Sequence, residues 1–243
     1  MRSARAFFGF AIILGFSLFG CNGREKDPVA NPGTALYGTY TDQSGHAGTV
    51  ELYGSTPMSD SGALLGQQDQ ASLDGELRLG GESLVRLKGL YDAAGHKVAF
   101  ASEDGAYNFN GTVTDAQASG FGYGPGGPAT FALFLGGTAS SVETFCAVAT
   151  CTDPPGCSAT GEFNVAVSGT AVLLSGSVDG HVAVASGSSS AQGVQLTIAQ
   201  DTVSVTVEGT ITGNTIQGTW TDASSGTSGT WTGSVSECAA GSG

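Results

Sequence analysis

The sequence predicts an all-β protein, built of antiparallel up-and-down meanders that form two small barrel or sandwich lobes. Three observations carry that expectation. Glycine makes up 40 of 243 residues, yet there is no Gly-X-Y period, and apolar residues alternate with polar ones as in strands joined by many turns. Behind residue 33 no stretch holds an apolar stripe over three helical turns, and only Ala63 to Ala71 allows a short helix. The intervals between alternating runs are too short for parallel crossovers, so neighbouring strands should be antiparallel. The alternative is one large barrel or sandwich running through the whole chain.

The chain opens with Arg2 and Arg5, an apolar run from Ala6 to Phe19, then Gly20 and Cys21. A run of that length falls short of the roughly 20 residues that a helix needs to cross about 30 Å of hydrocarbon, and it has the order of an export signal. Leu18-Phe19-Gly20-Cys21 resembles the lipobox of bacterial lipoproteins, in which signal peptidase II cuts before a cysteine already linked to diacylglycerol. Leu18, Gly20 and Cys21 match that pattern, and Phe19 is bulkier than the residue usual at its place. The resemblance implies that residues 1–20 are a signal peptide, that Cys21 is lipidated (palmitate included), and that membrane lipid is a partner. Several acyl chains exceed the two-signal threshold for stable anchoring. Asn22 stands where an Asp would favour inner-membrane retention, so the resemblance points to the outer membrane of a Gram-negative bacterium. Residues 21–33, broken by Pro28 and Pro32, read as a flexible tether.

Without Arg2 and Arg5 the chain keeps six of its eight basic residues against 21 acidic ones, all six lying between Arg24 and Lys97. Nucleic acid is excluded as a partner, because replacing the counterions condensed on phosphates takes cations that this surface lacks. A basic patch for anionic headgroups is missing for the same reason.

Residues 34–143 read as a first β lobe and 158–238 as a second, with a disordered tail at 239–243. The alternation is plainest in the second: Val194, Leu196 and Ile198 fall on one face, as do Val203, Val205 and Val207, with similar runs at Phe163-Val165-Val167 and Val182-Val184. Mostly valine interiors fill a thin sandwich well and a closed barrel poorly. Phe131-Ala132-Leu133-Phe134-Leu135 is apolar on both faces, so this strand should be covered on both sides or line a cavity. A weak repeat, Gly-Thr-x-Thr-Asp, occurs at Gly38, Gly111 and Gly218; Thr-x-Thr alternates across the pleat and Asp opens a turn. Trp220 and Trp231 stand at equal distances from Ser225-Gly226, and a two-residue turn there would place the two indoles directly opposite each other.

Between the lobes, residues 144–157 read as a cysteine-rich connector around Asp153-Pro154-Pro155-Gly156. Cys146, Cys151, Cys157 and Cys238 are an even number in an exported chain, which favours two disulfides over metal. A bridge from this cluster to Cys238 would remove about 4 kcal/mol of unfolded-chain freedom.

Chemistry-bearing residues are sparse. Each histidine follows a glycine: Asp42-Gln43-Ser44-Gly45-His46, Asp92-Ala93-Ala94-Gly95-His96 and Asp179-Gly180-His181. Gathered at one end of a meander they would make a metal site, but adjacent turns of a meander point to opposite ends, so the expectation is ordinary turns and no metal. Glu103-Asp104 precedes Gly105 and reads as an exposed turn. No Gly-x-Ser-x-Gly elbow is present. Gly120 to Gly127, with Phe121, Tyr123 and Pro125, reads as a hairpin tip whose aromatics could line a ligand mouth. The expectation is therefore a non-catalytic, membrane-anchored envelope lipoprotein with a structural or interaction role and no cofactor. The alternative is a β-calyx for a small apolar ligand, and a carboxylate-based hydrolase ranks third.

Overall fold

The computed structural model describes residues 35–55, 70–80, 84–114, 116–155, 157–158, 160–178, 181–191, 193–200 and 203–235. The signal, Cys21, the tether, most of the stretch that allowed a helix, Asp179-Gly180, Cys238 and the tail lie outside them. Gln70 and Ala71, at the end of that stretch, open a strand.

Eight strands form the first lobe: β1 (Ala35–Asp42), β2 (Ala47–Ser55), β3 (Gln70–Leu79), β4 (Leu84–Asp92), β5 (Lys97–Ser102), β6 (Asn108–Thr114), β7 (Gln117–Gly124) and β8 (Gly127–Leu135). Each pairs antiparallel with the next, and β8 returns to β1 from Leu36↔Leu135 to Asp42↔Ala129, closing a barrel. The second lobe has the same plan: β9 (Glu143–Asp153), β10 (Thr160–Ser168), β11 (Ala171–Val178), β12 (His181–Ser190), β13 (Gly193–Gln200), β14 (Val203–Thr212), β15 (Thr215–Asp222) and β16 (Thr227–Ser234), closed between β16 and β9. Closure leaves neither sheet an open edge. Outward positions such as Asp74 and Arg78 or Ser204 and Glu208 are polar and exposed, while inward ones are apolar. That is the reverse of a membrane-spanning barrel.

The first barrel is filled by Tyr40, Phe100, Phe109 and Phe131, whose rings meet edge-on or tilted at centroid distances of 4.8–5.8 Å. Rings this large fit because facing positions are glycine: a Cβ on Gly111 would stand 2.5 Å from the Phe131 ring, and one on Gly122 2.5 Å from Phe109. The second barrel closes although valine alone fills a barrel poorly. Phe145, Phe163, Trp220 and Trp231 supply the missing volume beside Val165, Leu174, Leu196 and Val207.

The structure departs from three sequence expectations. Residues 143–153 are not a connector but strand β9, paired with both β10 and β16; the actual link between barrels is 136–142, turned by hydrogen bonds between Thr138 and Ser141. The C-terminal hairpin pairs Trp220 with Gly229 and Gly218 with Trp231, two residues from the expected register. Asp222 causes the shift: its carboxylate accepts from the Ser224 N–H at 2.8 Å, and its carbonyl accepts from the N–H of Gly226 at 2.9 Å, so four residues make the turn rather than two. A shift of two preserves the face. Both indoles stay inside, each stacked over a neighbouring strand's glycine, Trp220 on Gly229 and Trp231 on Gly209. On β12 the inward side chains are Ala183 and Ala185, and Val184 points outward to pack against the first barrel.

The two barrels lie side by side. The outer face of β1 and β8 is covered by β10, β11 and β12, which explains the strand that is apolar on both faces: Phe131 and Leu133 fill the barrel, while Ala132 and Phe134 pack outward. The seam has an apolar half, where Tyr37, Ala132, Phe134 and Val142 meet Ala166 and Leu173, and a hydroxyl half. In the latter, Thr41 Oγ1 donates to the Ser175 carbonyl at 3.1 Å, Ser175 Oγ donates to Thr39 Oγ1 at 2.9 Å, and Asn164 Nδ2 donates to the Tyr40 carbonyl and to Thr41 Oγ1. Among the described residues no buried side-chain polar atom lacks a partner.

Asn164 is an amide that joins the two sheets at this seam. Asn164→Ala should cost about 1–3 kcal/mol, the range for leaving buried partners short of a hydrogen bond. The measurement is the urea-unfolding midpoint; an unchanged midpoint would show the seam to be apolar in its energetics.

Candidate functional site

The richest cluster of polar side chains grows from the first copy of the Gly-Thr-x-Thr-Asp repeat. Alternation along β1 sends Gly38, Tyr40 and Asp42 inward, and Asp42 meets the turn to β2 fully buried. Its carboxylate accepts from the N–H groups of Ser44 at 2.9 Å and His46 at 3.0 Å and from the Tyr40 hydroxyl at 3.1 Å, and it lies 3.0 Å from His46 Nδ1. Burial, and then the Asp42 carboxylate, push the Tyr40 pKa up, so its hydroxyl remains a donor. Gly45 takes φ +80°, and a Cβ there would stand 1.7 Å from the Glu162 carboxylate. Glycine at position 45 therefore does two things: it closes the turn, and it admits Glu162 from the second barrel.

A cleft of about 220 Å³ opens at this point between the barrels, lined by Gln43, Ser44 and Gly45 on one side and by Val148, Glu162 and Ser177 on the other. Glu162 is half-buried. Desolvation raises its pKa, the His46 imidazole opposes that rise, and Asp42 reinforces it. The cleft is below the roughly 300 Å³ usual for a drug-sized ligand. Its chemistry is that of a small polar pocket with one proton-accepting carboxyl.

The other sequence candidates are not brought together. His46 lies in the β1–β2 turn and His96, at φ 51°, in the β4–β5 turn at the opposite end of the same barrel, while His181 opens β12. Among the described residues no group of three or more His, Cys, Asp or Glu could hold a metal. Glu103 and Asp104 form an exposed turn: Glu103 pairs with Lys88 at 2.9 Å, while the Ser102 hydroxyl and then the Ala106 N–H hold the Asp104 pKa low. Gly120–Gly124 is strand rather than hairpin tip, with Phe121 and Tyr123 pointing to solvent. Cys151 and Cys157 are bridged, and Cys146 is also disulfide-bonded, to a partner outside the described residues.

Sequence reasoning missed Glu162 and Asn164. Phe163 and Val165 face inward, which places both polar residues on the outer face of β10; nothing in the local pattern says that another barrel covers that face. Comparison with protein-family models, curated proteins and solved structures finds no match to this chain.

A carboxyl whose pKa is raised by folding binds its proton more tightly folded than unfolded, so the folded state is favoured as pH falls and loses that advantage as pH rises through the raised value. Glu162→Gln should therefore raise the melting temperature at about pH 7, and the gain should vanish near pH 3, below the ordinary carboxylate range. A variant less stable than the wild-type protein at neutral pH would instead mean that the charged carboxylate is held by favourable partners.

Proposed function

We propose that this chain is a membrane-anchored envelope lipoprotein, held by lipid on Cys21 to the outer membrane of a Gram-negative bacterium, in which a rigid pair of barrels has a structural or interaction role and no catalytic one. One observation supports the non-catalytic part: four aspartates are engaged by their own turns, and Glu162 stands in the cleft with no second carboxylate among its lining residues. Asp42 receives Ser44 and His46 N–H groups, Asp92 the Gly95 N–H, Asp104 the Ala106 N–H and Asp222 the Ser224 N–H, at 2.8–3.0 Å. A general acid or base needs a carboxyl within reach of a reacting group, with its pKa near the working pH. A carboxylate that caps its own turn has its oxygens committed to backbone N–H groups.

The packed interiors support the same reading. Aromatic rings occupy the first barrel where a calyx would hold its ligand, and two indoles close part of the second. With a tether of about a dozen residues behind Cys21, the barrels stand near the lipid surface while their polar outer faces stay in water.

Globomycin, or Cys21→Ser, should abolish labelling by radioactive palmitate. The substituted chain should also lose the detergent-dependent recovery that lipidated protein shows. Wild-type protein released in soluble form, without lipase or detergent, would contradict the anchor.

A further inference from the structure

The outer face of β7 departs from the pattern of the rest of the molecule. Strand faces toward water carry Ser, Thr and charged residues almost everywhere, as on β14 with Ser204, Thr206 and Glu208. On β7 the glycines at 120, 122 and 124 face inward, where a Cβ would strike backbone, the Phe109 ring or the Tyr40 hydroxyl, and the aromatics face out. The packed interior explains the glycines. It does not explain Phe121 and Tyr123, which are 48% and 68% exposed on a closed barrel.

Their neighbours supply the second half of the pattern. Asn110 stands directly opposite Phe121, and Asn108 directly opposite Tyr123, both exposed on β6. The row through Phe121 and Asn110 continues across Ala99 to Leu90, itself 53% exposed. From β7 to β4 that row spans three strand spacings, about 14 Å. On β6 and β7, and at Ala99 and Ala101 of β5, the outward positions carry no charge in a chain with 21 acidic residues; charge returns on β4, where Lys88 and Asp92 flank Leu90.

We propose that this face, with Phe121 and Tyr123 as stacking platforms and Asn108 and Asn110 as amide partners, binds an uncharged polysaccharide. A pyranose offers an apolar C–H face, which an aromatic ring can cover, and a rim of hydroxyls, each donor and acceptor at once. An exposed asparagine amide offers both roles in return. The other occupants fit less well. A nucleic acid or an anionic lipid surface calls for cations beside the aromatics, and a peptide adding as a strand needs an open edge that the closed barrel does not have. The proposal does not depend on lipidation of Cys21, so failure of either leaves the other standing.

The test is retention of the full-length protein on insoluble cellulose and chitin, with affinity electrophoresis in gels holding galactomannan or a soluble β-glucan. Wild-type protein should bind at least one of these and be released by the matching oligosaccharide, not by salt or detergent. Phe121→Ala/Tyr123→Ala should weaken that binding by about tenfold or more, with an unchanged near-ultraviolet dichroism showing an intact fold. Tyr53→Ala, which removes an exposed aromatic from distant β2, should bind as the wild-type protein does. Binding to none of the four glycans, equal binding by the double variant, or release by detergent but not by oligosaccharide would each overturn the proposal. The last result would assign the face to lipid or non-specific adsorption.

Discussion

The outer face of β1 and β8 is the constraint on which the rest of the structure depends. In an isolated barrel this face would be the water-facing side, and Tyr37, Ala132 and Phe134 would be exposed there. Each large apolar side chain left in water forfeits roughly 1.5–3 kcal/mol, so the first barrel is incomplete without a cover. The second barrel provides it with β10, β11 and β12, whose own outer faces carry Ala166, Leu173 and Val184 at the matching places. Where apolar contact stops, Thr39, Thr41, Asn164 and Ser175 continue the seam by hydrogen bonds. Such directional contacts fix how the barrels lie relative to each other, which apolar contact alone does not.

The same seam creates the polar cleft. Where the sheets diverge past Thr41, the β1–β2 turn meets the Glu162 side chain, and the left-handed φ of +80° favours glycine at position 45. Inside each barrel glycine has a parallel use, making room for rings. Gly111 and Gly122 accommodate phenylalanines, and Gly209 and Gly229 accommodate indoles. A glycine-rich composition thus reflects aromatic packing as much as turns, and it leaves β7 with its aromatics outside.

Much of this was legible in the sequence. The period-two alternation on Phe163-Val165-Val167 and Val194-Leu196-Ile198 gave the correct inward faces, and the strand apolar on both faces is indeed covered on both. The errors have physical causes. Asp153-Pro154-Pro155 and three cysteines looked like a connector, because proline and disulfide signals sit at the end of β9 and conceal the alternation of Phe145, Ala147 and Ala149 within it. The Trp hairpin was offset because Asp222 captures its own turn and lengthens it. On β12, Val184 rather than Ala183 looked like the core residue, since a valine buried against a second barrel is indistinguishable in sequence from one buried in its own. Glu162 and Asn164 carried no signal for the same reason: contacts between lobes have no period along the chain.

The seam should make one cooperative unit of the two barrels. The chain carries its own reporters, since all six tyrosines lie in the first barrel and both tryptophans in the second. Unfolding in urea, followed by tyrosine second-derivative absorbance and by tryptophan fluorescence, should give coincident transitions with a single midpoint, as expected when neither barrel is stable without the other. Two separated midpoints, the tyrosines melting apart from the indoles, would contradict the account.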